Sequence, residues 1–540
     1  MTAVAFALRL GRWGVVGFAL AAFLSILVQT AGFYQVAGDT PAERTAFGDS
    51  MLRLASQFVA FFPPPIRPDT VAGYVEFRGF HPLAILFSVW ALASSTGFAH
   101  GDEERGIVEA SLAAGIDRRA IVASRVIAFA LALTLAAAAG GVGLLVGLAV
   151  GHESVGAAGL IEACALLVAV GVASYCISLL VAQLVPGRAA TAAAGAVLLT
   201  LFGLNSLSRV LGSLSTWRWL SPFRYYDLSQ PLPPGGYFDA RAFAAIVFIA
   251  AAAAVAAAVA FHRRDLGSPL LAPRTRSRPA TYTVADAAAW RYPVLRGLFA
   301  GRYGIGAWTI GMALVAIVFV LLTRTMVQVL LSVPSLLPYL SIFVREQVYP
   351  SLLGYTWLNV AQLLFAALAI TYVARWAAED SDGRLELTLS QPVSRAAVVL
   401  ERMAILAVVG LVIATVSNAA LYVASHQQGI DINPSRLAAA SLMLVPFTLV
   451  FAGAGSLLAA WNPRAAVGIL GAFAFASYLD VELGSIYRFP NWLQDLSAFK
   501  LFGTPLLTGV DWRSLTLMLA LAVAAVATSI LLMERRDVGA

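Results

Sequence analysis

Residue types able to do chemistry are scarce in this chain. Lys500 is the only lysine among 540 residues, and it stands in Ala498-Phe499-Lys500-Leu501 with no glycine run before it. A phosphate-binding P-loop needs a lysine that follows a glycine-rich turn and reaches the β- and γ-phosphates. The polypeptide therefore carries no Walker-type nucleotide site. His81, His100, His152, His262 and His426 are scattered and form no metal-ligand spacing. Cys164 and Cys176 share one apolar run and read as small buried residues, not as a redox pair. These types lead us to expect no catalytic residue, no metal site and no cofactor in this chain.

The chemistry-bearing residues that do cluster are acidic, and they cluster twice. One stretch is Gly101-Asp102-Glu103-Glu104-Arg105-Gly106-Ile107-Val108-Glu109-Ala110-Ser111-Leu112. The other is Glu379-Asp380-Ser381-Asp382-Gly383-Arg384-Leu385-Glu386-Leu387-Thr388-Leu389. Ile107, Val108, Ser111 and Leu112 fall on one helical face. Acidic residues open each helix, where the macrodipole favours them. Gly115 ends the first copy and Pro392 the second. Each stretch is expected to be a short amphipathic surface helix, 103–115 and 380–392, with an acidic cap. A solvated loop that merely stays out of the bilayer is the alternative, and recurrence argues against it. Glu109 and Glu386 could accept a charge-assisted hydrogen bond from a partner, or from Arg118 or Arg395 of the same chain.

The elements that position these residues follow from composition. The chain is 60% hydrophobic and 12% charged, about half the roughly 25% of a soluble domain. Mean hydropathy is +0.81. Large soluble, disordered and disulfide-scaffold classes are excluded, which leaves an all-α polytopic membrane protein. Twelve spans are read, at 12–37, 82–100, 120–150, 158–185, 190–211, 241–261, 304–324, 352–374, 396–424, 437–461, 465–484 and 513–533. Arginines concentrate on one side, which predicts both termini in the cytoplasm. The first apolar run is long and lacks a small-x-small cleavage site, so it reads as an uncleaved span. The proline- and arginine-rich stretch 265–300 reads as a cytoplasmic linker and connecting helix between a first half, 1–264, and a second, 301–540. Its basic cluster suits anionic lipid headgroups.

The halves repeat each other. Gly106, Glu109, Leu112, Arg118 and Arg125 match Gly383, Glu386, Leu389, Arg395 and Arg402 at a constant offset of 277. Leu220-Ser221-x-Phe223-Arg224 matches Leu496-Ser497-x-Phe499-Lys500 at 276, and Arg263-Arg264-Asp265-Leu266-Gly267 matches Arg535-Arg536-Asp537-Val538-Gly539 at 272. Six spans per half make the repeat parallel, with a pathway expected between the halves.

The pattern acidic-x-x-Gly-x-x-Glu-x-x-Leu followed by Pro-x-Ser-Arg, complete from Asp380 to Arg395 and degenerate at Gly115-Ile116-Asp117, resembles the coupling-helix segment of type-2 ATP-binding-cassette (ABC) exporter permeases. Leu220-Ser221-Pro222-Phe223 and the two Arg-Arg-Asp motifs resemble that family too, and the fused two-half form is similar to actinobacterial drug-export permeases of the tetronasin-resistance type. The resemblance implies a plasma-membrane efflux subunit of a bacterium, worked by two copies of a separate cytoplasmic ATPase that bind ATP and magnesium. Glu103, Glu104, Gly106, Glu109 and Arg118, with Asp380, Asp382, Gly383, Glu386 and Arg395, would form the coupling elements. Short helices at about 1–10 and 284–300 look like the family's connecting helices. Phe87, Trp90, Phe202 and Asn205, with Trp357, Gln362, Phe475 and Tyr478, would line a cavity for hydrophobic or amphipathic molecules. Trp219, Pro222, Phe223 and Phe499 would belong to re-entrant segments closing the outer mouth. Membrane lipid is an expected partner and nucleic acid is not. Two rivals stand beside this reading. One is a proton-coupled twelve-span antiporter, disfavoured because Asp117-Arg118-Arg119-Ala120 does not supply its loop motif and Glu162 is the single plausible embedded carboxylate. The other is an ABC permease for a lipid or peptide.

Overall fold

The computed structural model describes residues 3–57, 63–209, 212–270, 292–332, 348–381, 383–487 and 497–536. They are overwhelmingly helical, and the isolated bridge Gln230–Tyr237 is the sole β pairing among them. Contacts divide the chain into two units, Met1–Pro279 and Ala280–Ala540.

The first unit holds α1 (Arg12–Val36), α2 (Val71–Glu104), α3 (Arg118–Val150), α4 (Ala157–Leu184), α5 (Gly187–Leu207) and α6 (Ala240–Arg263). The second holds α7 (Pro293–Ser332), α8 (Val348–Ser381), α9 (Arg395–Gln427), α10 (Pro434–Trp461), α11 (Pro463–Tyr487) and α12 (Trp512–Arg535). Eleven of these are long and apolar enough to cross a membrane. The span expected at 465–484 falls in α11, whose apolar described stretch, Ala465–Tyr478, is shorter.

Local sequence explains the helix starts, and it does so twice. The side chains of Asp117 and Ser394, at matched positions, accept backbone N–H bonds at the first turns of α3 and α9. Asp239 and Asp511 do the same for α6 and α12. Packing repeats as well. In the first unit α1 lies on α3, and α4 touches α2, α3, α5 and α6. In the second, α7 lies on α9, and α10 touches α8, α9, α11 and α12. Small residues permit the closest approaches, since a Cβ on Gly143 of α3 would stand 2.4 Å from the Phe23 carbonyl oxygen of α1.

Three boundaries differ from the sequence reading. First, α2 starts eleven residues before the expected 82, because a π-helical turn at Glu76–Phe80 carries the chain past Pro82, which has no N–H to donate. Second, α2 and α8 run on to Glu104 and Ser381, so the acidic residues close long spans and do not open short helices. Third, α7 is one continuous helix from Pro293, with no break between the expected connecting helix and the expected span at 304, whereas the first half keeps the expected separate helix, Ala3–Leu10, before α1. Most of the linker lies outside the described residues.

Candidate coupling site

After α2 and after α8 the chain makes the same sharp break. Gly106 has φ +71° and ψ 10°, and Gly383 has φ +71° and ψ 4°, the left-handed region that L side chains adopt at a cost. Beyond each break lies a short helix, Ile107–Ala113 in one half and Arg384–Leu389 in the other. Val108 and Leu385, at matched positions, are buried and seat their helices against the bundle. Glu109 and Glu386, one residue further on, are exposed. So is Leu387, at 71%.

Charged groups hold the root of each short helix. In the first half Asp102 pairs with Arg125 at 2.7 Å and with Arg105 at 2.9 Å. Glu103 takes both terminal nitrogens of Arg264, just past the end of α6, and accepts the Gly267 N–H at 3.2 Å. Arg264 also donates to Gln183 Oε1 at 2.6 Å and to the Ala99 carbonyl at 3.2 Å. Arg118 donates to the carbonyls of Phe261 (3.0 Å) and Arg264 (2.7 Å), with its guanidinium 5.6 Å above the Phe261 ring. The second half repeats the main acid–arginine and arginine–carbonyl relations. Glu379 pairs with Arg402 at 2.6 Å, and Asp380 with Arg536 at 2.6 Å. Arg395 donates to the carbonyls of Met533 and, at 2.7 Å, of Arg536.

This arrangement revises several expectations. Asp102 and Glu103 are buried and bonded within the chain, so they are not a solvent-facing cap, while Glu104 is exposed. Arg118 and Arg395 direct their donors to carbonyls of the last spans, not to Glu109 or Glu386. Asp382 lies outside the described residues. Arg264 and Arg536 were legible as a repeated motif but were not singled out as site residues. Their partners are about 160 positions away, and the signal was a charged motif recurring at one offset.

The expected pathway residues lie mostly inside their own halves. Phe87 is fully buried, and Trp90 stacks on Phe18 at 4.4 Å and meets Phe129 edge-on. Trp90 also borders a cavity of about 220 Å³ with Phe129, Tyr175, Asp102 and Arg125. Trp357 is fully buried and donates its indole N–H to Asn418 Oδ1 at 2.8 Å. Gln362 is buried, Phe475 is 38% exposed, and Tyr478 packs edge-on against Phe499. Asn205 is buried and, with Arg209, holds the Asp227 carboxylate.

The segments before the last spans are pinned to the bundle. Pro222 opens the helix Pro222–Tyr226, capped by Ser221, with Trp219 exposed just before it. Phe223 meets Phe202 edge-on at 5.5 Å. Tyr226 donates to the Phe80 carbonyl at 3.3 Å, and burial pushes its hydroxyl well above the ordinary tyrosine range, so it stays a neutral donor. The Leu232 N–H donates to Glu76 at 2.8 Å. In the second half Phe499 sits among Phe447, Phe451 and Tyr478. Two buried carboxylates escaped the sequence reading. Glu76 fell before the expected start of its span, and Asp480 in α11 has both carboxylate oxygens buried with no hydrogen-bond partner among the described residues.

Residues 17–266 match the model of the ABC-2 family transporter protein, and residues 298–533 match that of the C-terminal domain of the multidrug efflux system permease Rv1217c. No curated protein matches the chain. These two matches set aside the antiporter reading. They take in both halves, with both glycine breaks, the Arg264–Glu103 pair and the Arg402–Glu379 pair inside them, and the chain thus belongs to the ABC-2 transporter family as the membrane permease of an ABC exporter of the multidrug-efflux kind.

Proposed function

We propose that the two short helices, Ile107–Ala113 and Arg384–Leu389, dock into two copies of a separate cytoplasmic ATPase subunit. ATP and magnesium are bound there, not on this chain, whose sole lysine lies outside any phosphate loop. On this reading both termini face the cytoplasm of a bacterial cell, and the arginine-rich side lies against anionic lipid. The cargo is a bulky hydrophobic or amphipathic drug, recognised by aromatic and amide side chains such as Trp90, Phe475 and Gln362. Roles at the coupling elements and along the pathway are part of the same proposal.

One observation carries it. At the same place in both halves a left-handed glycine turns the chain out of a span, a buried Val108 or Leu385 seats the next helix, and an exposed Glu109 or Glu386 faces away from the bundle. A helix rigid at its root and polar on its free face suits force transmission to a partner. The test pairs the permease with its cognate ABC ATPase in a reconstituted complex. Glu109→Ala with Glu386→Ala should leave abundance and assembly near normal and abolish most drug-stimulated ATPase activity and transport. Normal rates in the assembled double mutant would reduce both glutamates to solvated surface charges.

A further inference from the structure

The two coupling roots share an architecture but differ in sequence at several matched positions, two of which change the groups around the lock. Arg264 meets the side-chain amide of Gln183 at the end of α4. The second half carries Ala459 at that place, and Arg536 reaches only its backbone oxygen, at 3.4 Å. Arg105 neutralises Asp102 from one turn away. By sequence, the matched position in the second half is the acidic Asp382, so that half carries no arginine at the place of Arg105.

Burial follows this chemistry. The side chains of the Arg264–Glu103 pair are 1% and 5% exposed, and those of Arg536–Asp380 are 29% and 11% exposed. Asp102 is 4% exposed, and its counterpart Glu379 is 39% exposed. An ion pair loses strength as solvent reaches it, and a buried one is costly to part. The first root is therefore a closed lock, and the second a lock that opens at lower cost.

We infer that Arg264 and Arg536 are positioning residues that lock the ends of α2 and α8, from which the coupling helices hang, to the last span of each half, and that the second lock is the one that opens during the ATP cycle. Resting on the coupling reading above, this adds a division of labour. The helix Ile107–Ala113 is a fixed anchor for one ATPase, and Arg384–Leu389 is the moving lever on the other.

The experiment uses the full chain assembled with its ATPase, Cys164 and Cys176 being replaced by alanine. Spin labels at exposed Thr388 and Glu534 report on the second root, and labels at exposed Ala110 and His262 report on the first. The distance distribution of the second pair should broaden or shift between nucleotide-free and ATP-bound complexes, while that of the first stays unchanged. Ala459→Gln supplies the missing acceptor. It should lower the ATPase kcat by about tenfold, the worth of one charge-assisted hydrogen bond gained in the locked state, with KM for ATP unchanged. Gln183→Ala should leave kcat within twofold, because the first lock is not asked to open. Equal movement in both pairs, movement confined to the first, or full activity in Ala459→Gln would overturn the inference. If the unmutated complex fails to assemble or transport, the coupling reading falls and the inference falls with it. If that complex works and neither pair moves, the division of labour alone is wrong.

Discussion

The glycine break after α8 offers a clean perturbation, because its cost can be worked out from one backbone angle. Gly383 has φ +71°, and no heavy atom lies within 4 Å of a Cβ built on it. An alanine there meets no clash, so its penalty is torsional alone, roughly 1–2 kcal/mol for a left-handed residue. Asparagine tolerates this region better than other non-glycine residues, and valine tolerates it worst. The competing conformation is plain: α8 continues straight into Arg384–Leu389. That continuation lifts Leu385 from its buried seat and turns Glu386 away from its present face. A change of about 1–2 kcal/mol alters the ratio of broken to straight chain by about 5- to 30-fold. Drug-stimulated ATPase and transport of Gly383→Ala should fall in that range, Gly383→Asn should keep most activity, and Gly383→Val should lose more than alanine.

A control separates hinge from bulk. Gly203 in α5 also has open space around an added Cβ, but its backbone is helical. Alanine at that site should stabilise the protein by about 0.5–1 kcal/mol and leave transport intact. The assay is coupled ATPase and vesicle transport in reconstituted complexes, with assembly followed by co-purification. Equal activity of the Gly383 alanine, asparagine and valine variants, or an equal loss in Gly203→Ala, would refute the hinge argument.

Four further outcomes are expected. The isolated chain should hydrolyse no ATP, and steady hydrolysis by a preparation free of other subunits would contradict the missing P-loop lysine. A cysteine at position 275 should resist impermeant reagents added to intact cells, and efficient labelling would invert the proposed orientation. Gly143→Ala should lower thermal stability by about 1–3 kcal/mol, since its Cβ would press on the Phe23 carbonyl from 2.4 Å; an unchanged melting temperature would dispute the α1–α3 contact. Trp90→Ala with Phe475→Ala should remove stacking worth on the order of 1 kcal/mol each and reduce resistance to bulky hydrophobic antibiotics, and unchanged export across a broad panel would move the pathway elsewhere.

Hydropathy made most of the spans legible, and the offset of 277 made the repeat legible before any helix was seen. What it hid was where charged residues sit within a span. Glu76 and Arg78 depress the hydropathy of the first turns of α2, so the apolar window opened at position 82. Yet Glu76 is buried, because the segment before α6 folds back and the Leu232 N–H meets its carboxylate. Such a contact joins residues 156 positions apart, and no local pattern announces it. Trp357 and Phe87 were placed on a pathway by family geometry, and the structure buries both in the cores of their own halves. Aromatic residues in apolar helices carry no signal that tells a cavity wall from a core.

The acidic segments misled for a more useful reason. Carboxylates belong at the start of a helix, where the dipole stabilises them, and that rule assigned them to the short helices. They stand instead at the C-terminal ends of α2 and α8, where the dipole opposes them. A placement that costs energy on local grounds persists only if distant groups compensate, and they do. Arg125 and Arg264 in one half, and Arg402 and Arg536 in the other, supply the missing counter-charge from different spans. Breaking the local rule twice, at matched positions, with matched compensation, is hard to explain as drift. A span that ended in neutral residues would close its helix more cheaply, but nothing would tie its end to α3 and to the last span of the half. With the acids in place, any displacement of the end of α2 or α8, which carries the short helix beyond the glycine, must either carry those spans along or part an ion pair. That is the physical content of the proposed lever, and it resides in residues that the dipole rule would have put on the other side of the hinge.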